Sequence, residues 1–265
     1  MNNCLVTKLK ASVSNPDLPI FETMQQFTLD AIAASGNFSM TDAQKWALNK
    51  FFYQIGAISN AALWQKVKAL AIPMISNDNL SKAALNYVDN TVIATASGQF
   101  SNHGYYDGLV NIAKYNGNRK GIGIVAFSTV TADIAATSPT TVAGVLDNDY
   151  IQCYKNNSQN NDYFNYQGTQ TLTPHTAIDG FNITGDQDNV YFTSMVNRNI
   201  ISSITKEAVI TDSTLSNKNI IMNGFASFPI GIVFATFGLT KEEGAKLLLA
   251  CTDFRNAYLA DVNEI

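Results

Sequence analysis

The sequence predicts a mainly β protein: an antiparallel β-sandwich, preceded by a helical N-terminal connector and closed by a C-terminal helix. Three observations predict it. From about residue 74 to Phe237, short apolar segments are punctuated by Asn, Gly, Thr and Ser with no helical periodicity among them. Before that stretch, apolar residues recur at helical spacing between Gly and Pro stops. After it, the apolar strand Ile230 to Phe237 runs into an amphipathic helix that opens at Thr240.

Taken in order, residues 1–20 form an extended attachment tail, 21–73 the helical connector and 74–265 the sandwich with its C-terminal helix. In the tail, Leu5, Thr7 and Leu9 alternate with Val6, Lys8 and Lys10, a strand pattern, before a Ser-Asn-Pro-Asp-Leu-Pro linker. Such a segment cannot bury its apolar residues alone. Leu5, Val6 and Leu9 are therefore expected against another chain or domain, as in β-augmentation, where main-chain hydrogen bonds supply affinity.

In the connector, Phe21, Met24, Thr28 and Ala31 trace a helix that ends at Gly36. Thr41 and Gln44 form a capping box ahead of the stripe Ala47, Leu48, Phe51, Phe52 and Ile55. A third helix is read from Asn60 as N-cap through Leu63, Trp64, Val67 and Leu70 to Pro73, so that 41–70 makes a helical hairpin.

Ten strands are read in the sandwich: 92–96, 121–130, 142–146, 150–155, 181–183, 190–196, 200–204, 208–210, 220–222 and 230–237. Asn197 to Asn199 is a hairpin turn, since Asn tolerates left-handed backbone. The last strand is apolar on both faces, with Ile230, Ile232 and Phe234 on one and Val233, Ala235 and Phe237 on the other. It belongs inside a sheet covered on both sides. Thr240 and Glu243 then cap a helix whose Leu247, Cys251, Phe254 and Tyr258 share one face. That face is expected to meet the connector around Trp46 to Leu70.

Charged residues make up only 14% of the chain, and the polarity comes from Asn, Ser and Thr instead. With a net charge of −4 and no Lys/Arg cluster, there is no electrostatic footprint for nucleic acid. No apolar run reaches the roughly 20 residues needed to span a bilayer, and the opening residues lack a signal peptide's apolar core. The three cysteines, Cys4, Cys153 and Cys251, show neither disulfide nor zinc spacing and read as free thiols. Expectation is thus of a protein made in a cytoplasm, with no membrane insertion.

Catalysis finds little support. Of the five glutamates, Glu242, Glu243 and Glu22 sit in opening helical turns, Glu207 at a turn and Glu264 at the end, so none pairs with a second carboxylate on a strand. Asp147 and Asp149 flank Asn148, where a calcium ion would find oxygen ligands. Two carboxylates are few against the 6–8 oxygens calcium takes, so turn chemistry is preferred and no metal or cofactor is expected. The aromatics between Tyr105 and Tyr166, interleaved with Asn, Asp and Gly, offer ring faces for sugars and side chains for their hydroxyls. Tyr105, Tyr106, Asp107, Tyr154 and Asn156 are the glycan-binding candidates; the alternative is that tyrosine is an ordinary strand residue.

Asn2 to Lys10, Leu63 to Val67, Gly104 to Gly108, and Ile230 to Glu243 with Phe254 and Leu259 give the chain a further character. In these pieces it resembles the concanavalin A-like, or laminin-G-like, jelly-roll structural proteins of Bacteroidetes-infecting phages, including the crAss-like group. The resemblance implies a non-enzymatic virion protein, a head or tail fibre or decoration protein. It implies attachment to other virion proteins through the tail, homo-oligomers, and a lectin-like sandwich displayed outward to host surface glycans. A soluble lectin is the alternative, and a glycoside hydrolase on the same fold is a third reading.

Overall fold

The computed structural model describes residues 23–76, 80–93, 99–101, 104–106, 110–118, 121–132, 143–146, 151–156, 161–166, 169–173, 178–185, 189–196, 198–207, 214–223 and 229–260. The expectations for Leu5, Val6, Leu9, Asp107, Asp147, Asp149 and the strand 208–210 lie outside them.

Helix α1 (Gln26–Ser35) stops at Gly36, whose left-handed backbone (φ 71°) lets its N–H donate to the Ala33 carbonyl. Helix α2 (Asp42–Gln54) carries the expected capping box: the Gln44 N–H donates to Thr41 Oγ1 at 3.2 Å and the Thr41 N–H to Gln44 Oε1 at 3.0 Å. Phe27 of α1 meets Phe52 of α2 edge-on at 4.9 Å, which fixes the first two helices to each other.

The third helix differs from expectation. Only α3 (Ala62–Gln65) forms, capped by Ala61, and Val67–Ala71 is strand β1. The spacing of Trp64, Val67 and Leu70 mimics a helix, but the edge of the last strand offers backbone donors and acceptors that burial would otherwise orphan. Val67 to Ala71 satisfies them by pairing antiparallel with residues 233–236. The residues assigned to a connector thus contribute a strand to the sandwich, and the expected 41–70 helical hairpin does not form. A 3-10 turn (Pro73–Ile75) and the short α4 (Leu80–Ala83) follow.

The remaining strands are β2 (Gln99–Ser101), β3 (Gly104–Tyr106), β4 (Val110–Asn118), β5 (Ile122–Ala132), β6 (Ala143–Leu146), β7 (Ile151–Asn156) and β8 (Asn161–Tyr166). Then come β9 (Thr169–Thr173), β10 (Ile178–Gly185), β11 (Asn189–Val196), β12 (Asn199–Glu207), β13 (Thr214–Met222) and β14 (Ile230–Phe237), closed by helix α5 (Lys241–Ala260). The expected strand 92–96 does not start at Val92: Thr91 makes an isolated bridge with Asn86, and 92–93 lie in no strand. In the β11–β12 hairpin Asn197 lies outside the described residues, and Arg198 has left-handed backbone (φ 71°).

Two antiparallel sheets result. The large one runs β12-β11-β10-β5-β14-β3-β2, with β1 also on β14; the small one runs β4-β13-β6-β7-β8-β9. They share a core in which Ile124, Phe181 and Val233 meet Ile112, Ile220 and Met222. On its other face the large sheet presents Val125, Phe127, Ile232 and Phe234 to Phe51 and Phe52 of α2 and to Leu247 and Phe254 of α5. Strand β14 is therefore covered on both faces, as its sequence requires. One detail shifts: Ile230 falls in the inter-sheet core rather than with Ile232 and Phe234, because the β14–β5 register breaks between Ile230 and Ile232.

Helix α5 approaches β10 through Gly244. A Cβ there would come within 2.7 Å of Asn182 Cγ, and Asn182 is fully buried. Gly244→Ala gains helix propensity, about 1 kcal/mol at most, yet is expected to lose about 1–3 kcal/mol net through overpacking. Urea denaturation measures this, and the loss should shrink when Asn182 is first changed to alanine.

Candidate functional site

Strand register assembles a face that the linear sequence does not display. In the small sheet, Val145 pairs with Ile220 on one side and with Ile151 on the other, so by register these positions share one cross-strand row with the core residue Ile220. The alternate positions of β7 to β9 share the opposite face. There Tyr154 is in register with Tyr163, and Tyr163 with Leu172. One step along the strands lies the row Gln152, Asn165 and Gln170; one step the other way lies the pair Asn156 and Asn161.

A tyrosine row is thus flanked on both sides by amide rows. Rows on one face are two residues apart, about 7 Å, and neighbouring strands about 4.8 Å. None of the eight positions is charged. The charged residues of these strands, Lys155 and Asp162, are in register with each other. Phenol rings give sugars a flat apolar surface, and amides both donate and accept, as hydroxyls do.

The sequence candidates divide on this geometry. Tyr154 and Asn156 belong to the face. Tyr105 and Tyr106 lie in β3 of the large sheet, where Tyr105 is in register with Ile230 and Phe100. The fold therefore does not place them in one face with Tyr154 and Asn156. Tyr163 lies in the aromatic-rich region that the sequence displays but outside its five candidates, and Asn165 and Gln170 have no part in that reading because β8 and β9 carry few aliphatic residues to mark them as strands. Their period-two alternation, Asn161, Tyr163, Asn165, was the available signal.

Elsewhere the buried ionisable groups are engaged in packing. Asp179 of β10 accepts from Arg255 Nη1 of α5 at 2.9 Å, both residues being buried, and the guanidinium carbon lies 5.1 Å from the Phe127 ring centre. Burial pushes the Cys251 thiol well up, and it pushes the Tyr258 phenol up to about 12 against the opposing hydrogen bond from Asn37. Among the described residues, no three His, Cys, Asp or Glu side chains gather to hold a metal ion, and no helix is long and apolar enough to cross a membrane.

Glu243 joins the β1 and α5 ends. Its carboxylate accepts from Lys66 Nζ at 2.7 and 2.8 Å and from the Thr240 N–H at 2.8 Å, while its own N–H donates to Thr240 Oγ1 at 3.2 Å. Partial burial raises its pKa, but the Lys66 and Thr240 hydrogen bonds and the Lys66 charge outweigh that and hold it below 4.5. A carboxyl depressed on folding contributes stability above its unfolded pKa and loses it as pH falls through the folded value. The stability difference between wild type and Glu243→Gln is therefore expected to be present at neutral pH and to vanish below pH 4.5, read by urea denaturation at each pH.

No family model and no curated protein matches the chain. Among solved structures it is similar to the TRIM65 PSpry domain, at 11% identity over 66% of this chain and 94% of that chain, with a TM-score of 0.24. A likeness at that level bears on neither fold family nor function.

Proposed function

We propose that this protein is a non-catalytic virion component whose sandwich, a jelly roll of the concanavalin A-like kind, presents the outer face of its small sheet to glycans on a host bacterium. The observation that carries the glycan reading is the Tyr154 and Tyr163 row between two amide rows. The virion reading is supported by the sequence resemblance and by a tail whose Leu5, Val6 and Leu9 need a partner to be buried. In this account the tail attaches the protein to other virion proteins, copies associate as a homo-oligomer, and Asp179 and Glu243 serve packing through their cations.

Imaging of purified phage particles with this protein gold-labelled is the test. Label at a fixed position on particles is expected, and deletion of residues 1–20 should remove it. Label found only on free protein in the lysate would replace the virion reading with that of a soluble lectin.

A further inference from the structure

We infer that the large sheet holds ordered water among the buried polar side chains beneath the first turn of helix α5, one molecule between Asn182 and Thr193 and one between Thr184 and Thr236.

The face that α5 covers is apolar at Val125, Phe127, Ile232 and Phe234, yet four polar residues stand on the same face, and all four are fully buried. Asn182 pairs with Thr193 on one side and with Val125 on the other, and a Cβ on Gly244 of α5 would come within 2.7 Å of Asn182 Cγ. Thr184 lies two residues beyond Asn182 on β10 and donates to the Leu239 carbonyl, just ahead of α5, at 3.3 Å. Thr236 lies two residues beyond Phe234 on β14. The strand period of two therefore keeps each pair on one face.

Burial creates the need for a ligand. Asn182 Nδ2 and Oδ1, Thr193 Oγ1 and Thr236 Oγ1 have no hydrogen-bond partner among the described residues. Buried polar atoms are bonded to protein or to water in the great majority of cases, because an unpaired one forfeits its hydration. Between Asn182 and Thr193 a water can donate to the amide oxygen, or accept from the amide nitrogen, while it bonds the hydroxyl. At the second place a glycine leaves the space. The Cβ that Gly123 lacks would stand 2.7 Å from both Thr184 Oγ1 and Thr236 Oγ1. Those oxygens are thus at most twice that distance apart, a gap that one water spans with two bonds of about 2.8 Å. Thr184 gives its own proton to Leu239, so the water donates to Thr184 and accepts from Thr236.

Size and charge set the class. At 0% exposure the four side chains offer no entrance to a larger ligand. None of them is charged, and the nearest carboxylates are taken, Glu243 by Lys66 and Thr240, Asp179 by Arg255. Water matches amide and hydroxyl groups because, like them, it both donates and accepts. The first turn of α5 therefore meets the sheet through water, and its later turns meet it through Phe254 and Arg255.

Two measurements on the full-length protein test this. In a high-resolution crystal structure, ordered density is expected within about 2.7–3.2 Å of Thr193 Oγ1 and an Asn182 amide atom, and again of Thr184 Oγ1 and Thr236 Oγ1. In magnetic relaxation dispersion of solvent water, which counts long-lived internal molecules, Thr193→Val and Thr236→Val should each lose about one water, whereas Thr193→Ser and Thr236→Ser keep it. The urea midpoint should fall in both valine variants, since each leaves the partner residue short of a bond. Absence of density at either place would overturn the inference, and that observation stands even where a valine variant fails to fold. Valine variants that keep every long-lived water would overturn it too. So would midpoints at or above wild type, the result expected when a methyl replaces a hydroxyl bonded to nothing.

Discussion

Asp179→Ala is expected to destabilise the protein by about 3–5 kcal/mol, because it leaves the Arg255 guanidinium buried between β10 and α5 without its anion. The cation–π contact with Phe127 persists but is worth only about 1–2 kcal/mol where desolvated, too little to replace the carboxylate. Asp179→Asn keeps an acceptor oxygen at the same position and should cost less. The double variant Asp179→Leu, Arg255→Met removes both charges and should recover most of the loss, since apolar replacements of buried ion pairs are often neutral or stabilising. Urea denaturation of the three variants decides this: a single-alanine loss near zero would mean that the pair contributes nothing in its place beneath α5.

Phe254→Ala is expected to cost about 3–5 kcal/mol as well, through a different term. Phe254 is buried, stacks on Phe51 at 4.9 Å with the rings 25° apart, and lies 5.3 Å from the Tyr258 ring. Truncation removes the transfer energy of the ring and leaves a cavity at the contact that fixes α5 to α2. Leu29→Ala is the control, since Leu29 of α1 is 44% exposed and surface substitutions usually stay within about 0.5 kcal/mol. A lowered denaturation midpoint for Phe254→Ala with an unchanged m-value would attribute the loss to native-state packing.

What the sequence displays well is short-range. The Thr41 and Thr240 capping boxes are four-residue motifs, and both form. The Leu247, Cys251, Phe254 and Tyr258 face follows from helical period alone, and it packs on the connector's Phe51 as expected. What it hides is decided by distant partners. Val67 to Ala71 becomes a strand because β14 has an edge to fill, and nothing local in Lys66-Val-Lys-Ala-Leu-Ala71 outweighs the helical spacing of Trp64, Val67 and Leu70. Strands β8 and β9 go unread because Asn161 to Tyr166 and Thr169 to Thr173 contain a single aliphatic residue, Leu172, to mark a strand. Arg255 gives no hint of Asp179, which lies 76 residues earlier.

The candidate site follows the same logic. Proximity in sequence groups Tyr105 and Tyr106 with Tyr154 and Asn156 as one aromatic-rich region. Pairing instead joins Tyr154 to Tyr163 and Asn156 to Asn161 in the small sheet, and it sends Tyr105 to the edge of β14 in the large one. Register decides this grouping, since a slip of one residue between β7 and β8 would put the two tyrosine positions on opposite faces. The chemistry of the face was thus present in the composition, but its arrangement belongs to the fold.

The most direct measurement is isothermal titration of bacterial surface polysaccharide into two double variants. Tyr154→Ala with Tyr163→Ala, confirmed as folded by an unchanged thermal midpoint, is expected to abolish binding, while Tyr105→Ala with Tyr106→Ala should bind as wild type does. Wild-type affinity in the first variant, or its loss in the second alone, would contradict the assignment of glycan recognition to the outer face of the small sheet.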